Sequence, residues 1–116
     1  LKKVLLLTTL LTSFSSMATH HCIGNVNSIA VAGNGNIHVN IGSIGDGNVL
    51  CNTGVKLGEY TPEACNSALS MILSAKMAKK KIRLYFRNDT DTSCTKGNWK
   101  NFSSSAYQLY YIGLEG

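Results

Sequence analysis

One segment of this chain carries a helical pattern, and its position constrains the fold more than any other feature. Thr61-Pro62-Glu63 supplies an N-cap, a proline at the first helical position and an early acid. Behind it, Cys65, Ala68, Leu69, Ile72 and Ala75 fall on one face, with Met71 broadening it. The helix is expected to end near Ala78, where Lys76, Lys79, Lys80 and Lys81 complement its negative end.

On both sides of that segment the residues follow the pattern of strands. Residues 25–32, NVNSIAVA, have β-branched content, and Gly33-Asn34-Gly35 is a turn. Ile37, Val39 and Ile41 alternate with His38 and Asn40, and Val49-Leu50-Cys51 forms a short third strand after the loop GSIGDGN. Beyond the helix, Ile82, Leu84 and Phe86 alternate with Arg83, Tyr85 and Arg87. A polar stretch over 88–105 follows, carrying the single tryptophan, and AYQLYYIGLEG closes the chain as a fifth strand. The expected class is mainly β with one helix. The order β-β-β-α-β-β is that of the OB-fold, a five-stranded Greek-key barrel with its helix between strands three and four. An α+β sandwich, with a split sheet and the helix on one face, is the alternative.

The N-terminus points to export. Lys2 and Lys3 precede an apolar run from Val4 to Leu11, and Ser16-Met17-Ala18 is a small-x-small ending. The run is shorter than the roughly 20 residues a membrane helix needs. Residues 1–18 are therefore read as a signal peptide and 19–116 as one secreted or periplasmic domain, with no membrane insertion. Setting Lys2 and Lys3 aside lowers the formal charge from +5 to +3, so much of the basicity belongs to targeting. A mildly basic exported domain gives little reason to expect nucleic acid.

Four cysteines, Cys22, Cys51, Cys65 and Cys94, form no C-x-x-C pair, and an even number in a small exported domain reads as two disulfides. Three connectivities are open. Barrel topology, in which strands three and five are neighbours, favours Cys51–Cys94 with Cys22–Cys65. His20-His21-Cys22 is the one metal-like cluster. A mature end at Thr19-His20-His21 could wrap Cu(II) or Ni(II) in square-planar nitrogen. The plainer reading is a cleavage boundary joined to a disulfide anchor, with no metal and no cofactor.

No catalytic constellation stands out. The serines at 103–105 lack a nucleophile-elbow pattern, the six acids single out no pair, and the Gly-Asn-Gly-Asn and Gly-Asp-Gly-Asn stretches do not lead from a strand into a helix. No enzyme activity is expected. Asn88-Asp89-Thr90 and Asn101-Phe102-Ser103 match the N-glycosylation pattern, which places that stretch at the surface. Arg83, Tyr85 and Arg87 form an outward basic-aromatic stripe suited to a solvated or subunit-contacting face.

With export, two disulfides and this element order, the chain resembles the pentameric B subunits of bacterial toxins, of the subtilase cytotoxin and typhoid-toxin type. The likeness centres on the helix followed by KIRLYFR, where that family also places a helix, a short turn and an Arg-containing aromatic strand. It resembles equally the small exported proteins of marine and enteric gammaproteobacteria that share a helix-then-strand core. The toxin resemblance implies a ring-like homo-oligomer that binds cell-surface glycans, sialylated ones among them, and a toxin A subunit as a partner. In that family a first-strand serine and a tyrosine on the strand after the helix contact sialic acid. Here the first strand offers Ser28, and Phe86 stands in the tyrosine's place with Tyr85 beside it. Tyr85 and Trp99 are the candidate glycan-binding residues. For Tyr85, as for Tyr107, Tyr110 and Tyr111, packing in the barrel or at a subunit contact is the competing account, and Trp99 stands apart from it. The alternative function is a non-enzymatic periplasmic structural or accessory protein acting through protein contacts.

Overall fold

The computed structural model describes residues 19–116, so the expected signal peptide at 1–18 lies outside the described residues. Five strands and one helix follow in order: β1 His20–Val31, β2 Asn36–Ile41, β3 Gly45–Asn52, α1 Pro62–Ala78, β4 Lys81–Phe86 and β5 Leu109–Glu115. The strands form one antiparallel sheet in the order β3-β2-β1-β4-β5. The mainly-β class with a single helix between the third and fourth strands is as expected.

The helix forms where its caps place it. Thr61 Oγ1 accepts the Ala64 N–H at 3.2 Å, Pro62 opens the first turn, and Lys79 ends the helix in a left-handed conformation. Its buried stripe, Cys65, Ala68, Ile72 and Ala75, is mostly small, which lets the helix approach the sheet closely. Opposite it, alternate strand residues point inward: Ile37, Val39 and Ile41 from β2, and Ile82, Leu84 and Phe86 from β4, are all buried.

Two strands begin earlier than their composition suggests. β1 starts at His20 because His20–Asn25 pairs with Lys81–Phe86, so both histidines belong to the sheet. β3 starts at Gly45, since the expected loop GSIGDGN pairs with β2 from Ile41↔Gly45 onward through an irregular register.

The cysteine pairing favoured by sequence is corrected. Cys22 is bonded to Cys94 and Cys51 to Cys65. That pairing rested on strands three and five being neighbours, whereas β3 and β5 stand at opposite edges of the sheet, and β3 meets the segment before β5 through one isolated contact. It is the parallel bridge Val49↔Asn101, with Val49 N–H donating to the Lys100 carbonyl and Phe102 N–H to that of Val49. Cys94 precedes that contact and reaches Cys22 on β1, which leaves Cys65, on the first turn of the helix, to bridge to Cys51 on β3.

The stretch 88–105, read as a polar surface loop, is also corrected. Phe102, Ser103, Asp89 and Lys96 are buried. Phe102 packs edge-on against Phe86 with ring centroids 5.0 Å apart, and Tyr107 closes on both. Burial, followed by the charges of Asp89 and Asp91, raises the Tyr107 phenol above its usual range. The Lys96 ammonium donates to Asp89 Oδ2 at 2.7 Å, to the Asp91 carbonyl at 2.6 Å and to His20 Nε2 at 2.8 Å. Its three protons are thereby matched by three acceptors. Removing one member of a buried pair strands the other, so Lys96→Met is expected to cost about 3–5 kcal/mol. Urea unfolding measures this cost, and adding Asp89→Leu is expected to restore part of it. A single-variant loss below about 1 kcal/mol, the range of exposed pairs, would show that the network does not hold the segment.

Candidate functional site

Among the described residues, the most exposed of the large hydrophobic aromatics sits on left-handed backbone. Trp99 is 71% exposed, yet its φ is +58°, a region that bulky residues rarely occupy. Such a conformation persists only where the surroundings over-determine it. Here they do, since every backbone turn near Trp99 is tied to the β2–β3 hairpin. Trp99 N–H donates to the Asp46 carbonyl at 3.0 Å, and Asn98 Oδ1 accepts the Asp46 N–H at 2.9 Å. Asn48, fully buried, donates from Nδ2 to the Gly97 carbonyl and accepts the Lys100 N–H at 2.7 Å. The residues on both sides of the indole are thus anchored by one asparagine.

The hairpin is shaped to receive that ring. A Cβ on Gly47 would lie 2.7–2.8 Å from three atoms of the Trp99 indole, so only glycine lets the ring lie against the strand. Gly45 has the same role for the backbone, because a Cβ there would collide with the Gly97 carbonyl. His38 completes the wall, its Nδ1 2.7 Å from the Gly47 carbonyl oxygen and its ring 5.5 Å from the indole. The result is a rigid apolar plate beside the Asp46 backbone, the Asn98 amide and the His38 imidazole.

Tyr85 lies elsewhere. It pairs with His21 on β1, whereas His38 pairs with Ala30, nine residues along the same strand or about 30 Å of extended chain. The two candidates therefore do not form one site. Tyr85 is the centre of a cross-strand aromatic group, with His21 at 5.1 Å and Tyr111 at 5.2 Å. Its hydroxyl accepts from Arg83 Nη1 at 3.1 Å. Arg83 also lies 2.7 Å from Glu115, and Arg87 grips Glu59 with two nitrogens while covering the Tyr110 ring at 4.2 Å. The outward basic-aromatic stripe is thus largely engaged with its own neighbours. Phe86 faces inward and is fully buried, so it cannot take the place of a ligand-contacting tyrosine. Ser28 lies exposed just past the irregular register at Val26/Ser28 of β1, opposite Asn40, with no aromatic partner beside it.

Two grooves flank the helix. One, of about 310 Å³, is apolar and runs between α1 and β5, with Tyr60, Met71 and Tyr111 in its walls. Burial, then the Glu59 charge, raises the Tyr60 phenol above its normal range. The other, of about 370 Å³, lies between the helix end and β1 and is lined by Asn25, Asn27, Lys76, Lys79 and Lys80. From sequence the helix dipole is the main account of those lysines, with anion binding a minor one, and only the fold brings the two asparagines of β1 alongside them. The Asn48 brace was likewise hidden, because an asparagine after Gly-Asp-Gly reads as part of a turn.

No family model matches this chain, and neither curated proteins nor solved structures give a significant match.

Proposed function

We propose that this protein is an exported carbohydrate-binding domain whose ligand stacks on Trp99. The observation that carries the reading is a large indole, 71% exposed, held in a strained backbone conformation against a glycine-lined strand. Solvent exposure of so large an apolar surface gives no folding benefit, and the strain opposes folding. A sugar supplies the missing contact. Its C–H face covers the ring while its hydroxyls meet the Asn98 amide and the His38 imidazole, the mixture of apolar plate and few polar groups typical of small-ligand sites. Because the plate is held before the ligand arrives, little conformational entropy is lost on binding.

Two finer readings accompany the proposal. The bridge Val49↔Asn101 supports closure of the sheet toward an OB-like barrel, with the 100–102 segment standing at the β3 edge. Exposed Tyr111 and Leu114 on edge strand β5, next to the apolar groove, support contact between copies. A ring of copies turns weak single-site affinity into avidity. Protein contacts alone, without a sugar ligand, would use the same β5 surface and leave Trp99 unexplained.

On a glycan array, the purified domain is expected to bind selectively. Trp99→Ala is expected to reduce affinity by at least roughly tenfold, about 1.4 kcal/mol, without lowering Tm. Tyr85→Ala is expected to do the reverse, lowering Tm while retaining the array signal, because its ring packs against His21, Tyr110 and Tyr111 on the outer face. An array signal that survives Trp99→Ala would remove the plate from the ligand. Light scattering on a sizing column is expected to give a mass several times that of one copy. A monomer at all working concentrations would rule out the ring.

A further inference from the structure

The helix C-terminus presents a second surface that the Trp99 plate does not explain. Lys76, Lys79, Lys80 and Lys81 fall within six residues, and none takes part in the three ion pairs formed among the described residues. Lys76, Lys79 and Lys80 line the 370 Å³ groove with Asn25 and Asn27, and Lys81 pairs across from Asn25. Asn25 and Asn27 stand where the register of β1 against β2 shifts between Val26 and Ser28, an irregularity of the kind that re-aims side chains next to binding sites.

Helix capping accounts for only part of this cluster. Lys76, in the last turn, suffices to complement the dipole. Lys79 occupies the left-handed cap, with φ +56° and ψ +41°, a position where glycine is favoured because it has no Cβ to clash. Keeping a lysine there works against stability while adding a cation to the groove.

We infer that this groove binds a sulfated oligosaccharide. Lysine ammoniums are compact point charges on flexible stems, and three of them line this one groove, suited to successive singly charged groups along a chain. The two carboxamides offer donors and acceptors to hydroxyls. The groove contains neither an aromatic ring on which a base could stack nor an arginine fork for phosphate. It is also concave, and the exposed apolar Met77 sits about 100° around the helix from Lys76, so cations and apolar surface do not face one plane as a bilayer requires. The site is separate from Trp99, and this inference does not rest on the reading of that plate.

Fluorescence anisotropy with a labelled heparin hexasaccharide tests it on the purified protein. Binding is expected to weaken steeply with salt. Fully desulfated hexasaccharide is expected to compete at least roughly tenfold less well, as are an oligonucleotide of equal charge and phosphatidylserine vesicles. Lys79→Gly is the discriminating variant, because it is expected to raise Tm and yet weaken binding. Lys76→Gln with Lys80→Gln is expected to lose at least roughly tenfold in affinity with the fold intact. Trp99→Ala is expected to leave heparin binding unchanged, which separates this site from the plate. Undiminished binding in the lysine variants, equal competition by the desulfated chain, tighter binding of oligonucleotide or vesicles, or loss on Trp99→Ala would each overturn the inference.

Discussion

Lys96 carries a charge into a site where its side chain is 1% exposed, and a buried ammonium is tolerable only when every proton finds an acceptor. Those acceptors come from three places: Asp89 Oδ2 and the Asp91 carbonyl on the same segment, and His20 Nε2 at the start of β1. The arrangement also places the ammonium 5.1 Å from the centre of the Phe86 ring. Because the partners converge from the loop, β1 and β4, the charge can be satisfied in only one arrangement of the three. Cys22–Cys94 fixes the same junction covalently. Connections without regular structure seldom exceed about 12–15 residues, and the 87–108 segment does so by drawing its hydrogen bonds from the sheet.

From that junction the segment is laid along the β3 edge one contact at a time. Lys96 N–H donates to the Ile44 carbonyl, Asn48 holds Gly97 and Lys100, and Ser103 donates its hydroxyl to the Leu50 carbonyl. Phe102 then enters the core. Trp99 lies within the span held by Asn48 and just ahead of this hydrophobic anchor, which holds its backbone at positive φ. The exposed ring is thus a consequence of how the loop is secured on either side. The strain at Trp99 is supported by burial elsewhere, which is how a folded chain sustains a locally unfavourable conformation.

The parts legible in the sequence were those governed by local rules. Thr61 and Pro62 set the helix start, and the alternation of Ile82, Leu84 and Phe86 with Arg83, Tyr85 and Arg87 gave both the existence and the facing of β4. A strand's period of two admits no intermediate orientation, so burying Phe86 obliges Tyr85 to face out. The outward Tyr85 was visible, but not its partners, because His21 and Tyr111 come from strands far away in the chain. The cysteine pairing depended on non-local geometry in the same way, as an offset of several residues along the loop changes which strand Cys94 meets. The burial of Asp89, Lys96 and Phe102 was hidden by composition, since a run of Asn, Asp, Thr, Ser and Gly reads as solvated whether or not it has acceptors beneath it.

Charge placement follows from these anchors. Of the six acids, Asp89 is committed to Lys96, Glu59 to Arg87 and Glu115 to Arg83, each through loop or strand geometry distant from the end of α1. Glu63 lies in the first turn of the helix, at the opposite end from the lysine cluster, and Asp46 lies beside Trp99. The modest net charge is therefore unevenly distributed. The β4–β5 face is internally neutralised, the Trp99 plate keeps an acid, and the end of the helix keeps four cations. A mobile salt atmosphere screens such a cluster over about 8 Å at physiological ionic strength. The cluster therefore acts on ligands that enter the groove, and much less on those passing at a distance.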